Sequence, residues 1–319
     1  MREKWTAEDV PDQAGRTAVV TGANSGLGFT TADVLAARGA HVVLACRDAA
    51  RAAAAAERIR AGSPDARLSV VELDLGAMAS VRSAAERLRA DHPRIDLLIN
   101  NAGVLEPPRP TTADGFEAHL GINHLGAFAL TGLLIDLLAP VPGSRVVAVS
   151  SISARYGRIH RDDLQLTGRH ERSAGYAQSK LANLLFTREL QRRLAAAGAG
   201  TIAVAAHPGN SRTNLVRHIG AVSRFLADQR WAWLTGWAIQ PVELGALAQL
   251  RAATDPAAEG GDYYGPPGRA QFVGHPERVA PPPAALDEDV AGWLWAESER
   301  LTGVSYPLEG TRSGIQSIQ

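Results

Sequence analysis

The sequence lacks several features that would direct a protein to particular partners. Cys46 is its only cysteine, which excludes an internal disulfide, and its apolar setting in "HVVLAC" predicts a buried, inert thiol. Lys plus Arg and Asp plus Glu each number 33, so a formal net charge of zero offers no overall attraction for nucleic acid or an anionic membrane. No signal-peptide pattern precedes residue 16, and no window reaches the roughly 18 uninterrupted apolar residues of a membrane span. We expect a cytoplasmic protein whose partners are small molecules or other protein chains.

Short apolar runs do occur, and helical stretches separate them from residue 16 onwards. Runs of this kind predict strands that are buried on both faces, and intervening helices make such strands parallel. The prediction is an α/β fold with one doubly wound, Rossmann-type sheet. The predicted strands are 17–21, 41–45, 68–73, 95–100, 145–150 and 201–206.

No internal repeat or long linker divides the 319 residues, so we expect one domain. Its predicted parts are an arm at 1–15, a dinucleotide-binding and catalytic core at 16–209, a substrate flap at 210–240 and a carboxyl-terminal segment at 241–319.

A glycine turn follows the first strand. "TGANSGLG" carries Gly22, Gly26 and Gly28 and leads into an apolar helical pattern. A strand that ends in such a turn directs unpaired N–H groups and the positive end of a helix at one point, which suits a pyrophosphate. The spacing G-x-x-x-G-x-G differs from the general dinucleotide pattern, and an ordinary tight turn stays open as an alternative.

The residues after the second and third strands bear on which cofactor binds. Arg47 is the first residue after the second apolar run, where an NAD-binding chain often has an acidic residue. A cation there favours the 2′-phosphate of NADP(H) over NAD(H), and we interpret the adjacent Asp48 as the cap of the next helix. Asp74 ends the third strand, where it is predicted either to accept from an adenine amino group or to cap the helix near Met78.

The sequence "YAQSK" places Tyr176 and Lys180 four residues apart, on one face of a helix. Such a pair alone is a weak signal, because two polar groups on a wet helix have the same spacing. It occurs here together with "TGANSGLG", "NNAG" (100–103), "INHLG" (122–126), "VSS" (149–151) and "HPG" (207–209). In order and spacing the set resembles the short-chain dehydrogenase/reductases, and the stretches around it resemble their retinol dehydrogenase and protochlorophyllide reductase branch.

The resemblance implies a catalytic role for Asn123, Ser151, Tyr176 and Lys180. Tyr176 is expected to be the general acid, with its pKa lowered by Lys180, which would also hold the nicotinamide ribose. Ser151, rather than the adjacent Ser150, would hold the substrate oxygen, and Asn123 would hold a water that connects Lys180 to solvent. The implied cofactor-binding residues are Gly22, Asn24, Ser25, Gly26, Leu27, Gly28, Arg47, Asp74, Leu75, Asn101, Ala102, Gly103, Tyr176, Lys180, Pro208, Gly209 and Thr213. No metal ligand is implied.

Three segments bear on the substrate. The 24 residues between Ser151 and Tyr176 exceed the usual family length and are predicted to shape a substrate mouth. Ser211 stands where the family commonly has a β-branched apolar residue, which puts the packing around the nicotinamide in doubt. The flap carries Trp231, Trp233 and Trp237, which predict either a bulky lipophilic substrate or packing inside the domain or an oligomer interface.

These features together predict an NADP(H)-dependent oxidoreductase that reduces a carbonyl of a lipophilic or aromatic substrate, or oxidises the alcohol. Two alternatives use the same fold: an epimerase or dehydratase, whose glycine turn runs G-x-x-G-x-x-G, and a non-catalytic dinucleotide-binding sensor. The glycine spacing counts against the first alternative, and the presence of all four implied catalytic residues counts against the second. A homodimer and a homotetramer are both compatible with the sequence.

Overall fold

We analysed a computed structural model of the chain, which describes residues 4–105, 107, 110–168, 172–211 and 239–308. Within these residues, eight strands form one sheet in the order β3-β2-β1-β4-β5-β6-β7-β8. Pairing is parallel from β3 through β7, and β8 alone is antiparallel. The strands are β1 Thr17–Thr21, β2 His41–Cys46, β3 Arg67–Glu72, β4 Leu97–Asn100, β5 Arg145–Val149, β6 Ile202–Ala206, β7 Tyr263–Gly265 and β8 Glu277–Arg278.

Helices cover both faces of the sheet. The described helices are α1 Gly26–Ala37, α2 Ala49–Gly62, α3 Met78–Asp91, α4 Ala118–Leu120, α5 Gly126–Leu138, α6 Arg172–Ala196, α7 Val242–Thr254 and α8 Glu288–Thr302. Side chains of α1, α2 and α7 pack against one face, and those of α3, α5 and α6 pack against the other. The doubly wound α/β fold predicted from the alternating pattern is therefore confirmed.

The strand predictions are accurate to within two residues for all six runs, but β3 is not buried on both faces as expected. It lies at the edge of the sheet, with Val71 buried and Val70 36% exposed. An edge strand has a neighbour on one side only, and α2 and α3 cover it incompletely. The short β7 and β8 were not predicted, because three and two residues carry no readable periodicity.

The stretch Ala118–Leu138 is long and apolar enough, by length and composition, to cross a membrane. It comprises α4, a π-helical turn at Gly121–Leu125 and α5, and 78% of its most apolar window is buried inside the protein. The buried core helix of a soluble protein passes the same test of length and composition. The predicted absence of a membrane partner, like the predicted cytoplasmic location, stays a prediction.

The chain order reverses between β1 and β4, because β2 and β3 lie on one side of β1 while β4 and β5 lie on the other. At such a reversal the connections leave the carboxyl ends of adjacent strands in opposite directions, which opens a crevice there. The glycine turn after β1 and the "NNAG" segment that begins in β4 both face this crevice.

Candidate active site

The turn between β1 and α1 can be built only with glycine at particular positions. Gly22 and Gly26 have φ of 68° and 55°, a left-handed conformation that side chains disfavour. Gly28 has an ordinary backbone, but an added Cβ would collide with the Gly22 carbonyl and the Asn101 amide. Ser25 occupies the N-cap position of α1 without a side-chain capping bond, so the first N–H groups of the helix point into the crevice.

The crevice holds a cavity of about 430 Å³. Its walls include every residue predicted for the glycine turn and for the ends of β2, β3 and β4. Further wall residues that the sequence did not single out are Ala45, Leu73, Val104 and Ile122. The predicted residues are Gly22, Asn24, Ser25, Gly26, Leu27, Gly28, Arg47, Asp74, Leu75, Asn101, Ala102 and Gly103.

Two arginines stand on one wall of the cavity. Arg47 is exposed at the end of β2, and Arg51 lies one turn into α2. Asp48 caps α2 as predicted, because its carboxylate accepts from the backbone N–H of Arg51 at 2.9 Å. The same carboxylate lies 3.3 Å from the Arg51 guanidinium, which leaves Arg47 as the cation without that competing partner.

Cys46 also touches the cavity, although it is buried. Burial raises the pKa of its thiol to about 11, so the sulfur stays protonated at neutral pH. The prediction of an inert thiol is therefore consistent with the structure.

Asp74 faces the cavity and does not cap the following helix, so the capping alternative is wrong. Its Oδ1 accepts from the Gly76 N–H at 2.9 Å, and Ala77 occupies the N-cap position of α3. Three residues lie between Asp74 and the first residue of α3. The Asp74 carboxylate binds the turn at Gly76 instead of the helix. This position leaves Asp74 available to a group in the cavity.

The two asparagines after β4 brace different neighbours. The Asn100 side chain donates to the Thr131 hydroxyl on α5 at 2.9 Å, whereas Asn101 donates to the Thr21 carbonyl at the end of β1 at 2.7 Å. Thr21 in turn accepts from the Ala102 N–H at 2.9 Å. Of the two asparagines, Asn101 lines the cavity and Asn100 does not.

Asn123 and Lys180 meet at the end of the cavity. A Cβ added to Gly103 would lie 3.1 Å from both Asn123 Oδ1 and Lys180 Nζ, so a glycine lets the chain pass over both side chains. Asn123 accepts from the Val104 N–H at 2.7 Å and donates to the Val104 carbonyl at 3.0 Å. It sits in the π-helical turn, whose extra residue per turn rotates the side chain toward the site.

Ser150 and Ser151 face opposite ways at the end of β5. Ser150 is buried and donates to the Lys180 carbonyl at 2.8 Å, which ties β5 to α6. Ser151 is half-buried, and its side chain is close enough to the phenol of Tyr176 to act to lower the pKa of that phenol. Of the two serines, only Ser151 therefore reaches the tyrosine.

In the protein alone the pKa of Tyr176 is raised rather than lowered as expected. Burial of the phenol raises the pKa, and the hydrogen bond with Ser151 acts against that effect. Lys180 Nζ lies 5.8 Å from the centroid of the phenol ring and donates to the Val149 carbonyl at 3.0 Å. Burial lowers the pKa of Lys180 to about 8, so the ammonium is charged at neutral pH and can bind an added acceptor.

Pro208 and Gly209 follow β6, at the same edge of the sheet as Ser151, but they lie outside the walls of the cavity. His207 is fully buried, as predicted for a packed histidine, and burial lowers its pKa to about 4. Its Nδ1 accepts from the Gly209 N–H at 3.3 Å, so Nε2 carries the proton and donates to Gln271 at 3.1 Å.

A clamp that the sequence did not reveal holds this loop. Ser211 and Gln240 both donate to the Pro208 carbonyl, at 2.6 and 2.7 Å, and Gln240 also accepts from the Gly274 N–H at 2.8 Å. Ser211 also packs against Gly245 of α7. Its hydroxyl thus stabilises the backbone of this loop. No local pattern links these residues, because they are up to 66 positions apart in the sequence.

The segment between Ser151 and Tyr176 lines a second cavity of about 510 Å³. Residues 157–163 form one side of it, and Ala284, Asp287 and Val290 form the other. The expected role of this segment as a substrate mouth stays a prediction.

Thr213, the three flap tryptophans and most of the 210–240 segment lie outside the described residues, so the predictions for them are untested. Within the described part of the chain, no group of three or more His, Cys, Asp and Glu side chains is arranged to hold a metal ion.

Comparison with known proteins decides the family. The sequence model of the short chain dehydrogenase family matches residues 16–222. The chain belongs to that family. The short-chain dehydrogenases are oxidoreductases that bind a nicotinamide dinucleotide.

Relatives of this short-chain dehydrogenase identify the branch predicted from the motifs. Human retinol dehydrogenase 13 is 42% identical over 294 residues, which cover 92% of this chain and 86% of the relative. Mouse retinol dehydrogenase 14 is 43% identical over 306 residues, which cover 91% of this chain and 86% of the relative. The chain is thus a member of the retinol dehydrogenase-like branch.

A crystal structure of an uncharacterised protein from Mycobacterium paratuberculosis has a TM-score of 0.78 and 42% identity to this short-chain dehydrogenase. The match covers 96% of this chain and all of that chain.

Proposed function

We propose that this protein reduces a carbonyl of a lipophilic or aromatic substrate to an alcohol, or catalyses the reverse oxidation, with NADP(H) as cofactor. The observation that carries the proposal is the position of Tyr176, whose phenol interacts with the Ser151 side chain and whose ring centroid lies 5.8 Å from Lys180 Nζ. This cluster adjoins the end of a cavity built for a dinucleotide, because Gly103 lines the cavity and passes over Lys180.

The residues of the cavity fit a dinucleotide. The open N-terminus of α1 and the glycine turn suit the pyrophosphate, Asp74 suits an amino group of the adenine, and Lys180 suits the ribose hydroxyls on the nicotinamide side. The bound cofactor supplies or accepts the hydride.

The protein supplies the proton and the geometry. Tyr176 donates a proton to the oxygen that becomes negative as the carbonyl is reduced, and Ser151 holds this oxygen through its hydroxyl. The charged Lys180 ammonium near the phenol ring favours the phenolate that remains. The side chain of Asn123 is held by the N–H and the carbonyl of Val104. In this proposal Asn123 binds a water, and this water returns a proton to Tyr176 through Lys180.

Arg47 supports NADP(H) over NAD(H). It stands at the end of β2, the position at which this fold reads the 2′-substituent of the adenosine ribose, and Arg51 places a second positive charge on the same wall. An NADP active-site complex of RhlG from Pseudomonas aeruginosa is also similar in fold, with a TM-score of 0.61 and 26% identity over 82% of this chain and 96% of that chain.

The retinol dehydrogenase relatives support a lipophilic substrate, and the tryptophans of the flap agree with that interpretation. They do not single out a retinoid, since an aromatic or polycyclic ketone has the same apolar character. Polyene aldehydes, aromatic aldehydes and ketones, and quinones form the test panel.

The test measures oxidation of NADPH and NADH by the purified protein against that panel. We expect turnover with at least one member and a higher kcat/KM with NADPH than with NADH. Tight cofactor binding without turnover of any member would instead support the sensor alternative.

A further inference from the structure

Glu117 and His119 form an ion pair beside Tyr176 that the mechanism above does not use. His119 Nδ1 lies 2.8 Å from Glu117 Oε1, and both side chains are largely buried. The other ring nitrogen, Nε2, lies 2.8 Å from the Leu105 carbonyl. The carboxylate also accepts from the backbone N–H groups of His119 and Leu120, at 3.0 and 2.7 Å, and so caps α4.

The hydrogen bonds of His119 require an imidazolium. A carboxylate and a carbonyl can only accept, so both ring nitrogens must carry a proton. Burial acts to lower the pKa of His119, but the bonds to Glu117 and Leu105 outweigh it and raise that pKa. Burial likewise acts to raise the pKa of Glu117, and the hydrogen bonds from His119 and the backbone lower it.

The pair packs directly against the start of α6. The rings of His119 and Tyr176 meet edge to face, with centroids 6.1 Å apart. A Cβ added to Gly175 would lie 2.9 Å from His119 Nδ1 and 3.1 Å from Glu117 Oε1, so glycine permits this approach. Among the described residues, three titratable groups interact with His119. They are Glu117 on its own segment and Tyr176 and Lys180 on α6.

The pair also holds the segment that follows β4. His119 binds the Leu105 carbonyl, while Asn123 binds both backbone groups of Val104. The Glu117 N–H donates to Gln165 at 2.7 Å, which joins the inserted segment to the same point. Three separate parts of the chain thus meet at Glu117 and His119: the segment after β4, the insertion and the tyrosine helix.

We propose that the Glu117–His119 ion pair is a positioning element for the reaction, which holds the Tyr176 phenol and the segment at 104–105 in a fixed relation to the substrate oxygen. This inference rests on the proposed function, because it assigns the pair to the proton-transfer step of Tyr176. Neither residue lines the dinucleotide cavity, although Val104 does, so we expect the pair to affect turnover more than cofactor affinity.

Two variants test the proposal, with wild type and His41→Gln as controls. His41 is a half-buried histidine on β2 that hydrogen-bonds Ser69, so its variant loses an imidazole away from the site. We expect His119→Gln to lower kcat by about tenfold to a hundredfold, because it removes the charge-assisted hydrogen bond to Glu117 that holds the pair against the Tyr176 ring. The affinity for NADPH should stay within about twofold of wild type, and His41→Gln should retain wild-type kcat.

Glu117→Gln removes the negative charge and keeps one of the two oxygens that accept from the backbone of α4. The pKa of His119 should then fall, so the imidazolium is lost at a lower pH. Activity that depends on the imidazolium is present below this pKa and disappears as pH rises through it. The alkaline limb of the kcat/KM profile should therefore move to lower pH in this variant. If the pair had a structural role only, Glu117→Gln would lower the thermal midpoint of unfolding and leave the pH profile of kcat/KM unchanged.

Nitrogen-15 spectra of labelled histidine supply a readout that needs no substrate, with His119 assigned from the signal missing in His119→Gln. We expect a doubly protonated ring at pH 7. A neutral His119, or wild-type kcat and pH profile in both variants, would overturn the inference. If His119→Gln does not fold, the profile of Glu117→Gln decides. If the wild type reduces no carbonyl, both the proposed function and this inference are refuted. If the wild type is active and the variants at Glu117 and His119 are unaffected, only the inference is refuted.

Discussion

Replacing Arg47 by Asp tests the cofactor assignment most directly. Arg47 stands at the end of β2 on the cavity wall, where its guanidinium would meet a 2′-phosphate, and aspartate there would accept from a ribose hydroxyl instead. The variant should lose affinity for NADPH and gain affinity for NADH. The ratio of kcat/KM for the two cofactors should therefore move toward NADH.

The structure limits the size of this effect. A charge-assisted hydrogen bond contributes about 1.5 to 3 kcal/mol, or roughly tenfold to a hundredfold in affinity. Arg47 is exposed, so solvent screens its charge and the lower end of that range applies, about tenfold for NADPH. Arg51 replaces little of the lost contact, because its guanidinium is shared with Asp48 at 3.3 Å. Raising the ionic strength should reduce the difference between wild type and variant.

The assay measures initial rates with NADPH and with NADH, using one substrate from the panel, at low and at high salt. It yields kcat/KM for each cofactor. Arg58→Asp is the matched control, because Arg58 is an exposed arginine of α2 that stacks on the Phe29 ring and does not line the cavity. Its cofactor ratio should equal that of wild type. A wild-type enzyme that already prefers NADH, or an equal change in Arg58→Asp, would refute the assignment of Arg47 to the phosphate.

Three further predictions concern the site. Tyr176→Phe should bind NADPH as wild type does but lose most of its turnover, because only the proton donor is removed. Near wild-type turnover in this variant would exclude the proposed acid. Gly28→Ala should weaken dinucleotide binding by at least about tenfold in a fluorescence titration, because the new Cβ collides with the turn, whereas Gly62→Ala places its Cβ in open space and should bind normally. Burial lowers the pKa of Lys180 from its ordinary value of 10.5 to about 8, so unfolding takes up a proton between these values. Over that interval the free energy of unfolding of the cofactor-free wild type should rise with pH more steeply than that of Lys180→Met. Denaturant titrations measure both free energies. Parallel dependences on pH in the two proteins would contradict the burial of the charged group.

The sequence by itself determined the architecture and singled out most residues of the candidate site. Six apolar runs mark the parallel strands because a strand covered on both faces has no polar side, and the glycines after β1 are visible because only glycine suits that turn. Tyr176 and Lys180 share one face of a helix because their spacing is set locally, and the accompanying motifs distinguish them from other polar pairs with that spacing. The capping role of Asp48 is local in the same way.

Tertiary structure alone decided which groups meet across the chain. The exposure of β3 depends on which strand lies at the edge, and the role of Asp74 depends on the turn at Gly76 rather than on its distance from α3. Ser211 and Gln240 meet at the Pro208 carbonyl. Likewise the charge of His119 follows from two acceptors, one of them the carbonyl of Leu105 on another segment. Contacts of this kind leave no period or spacing in the sequence, because the fold brings together residues whose separation along the chain is arbitrary.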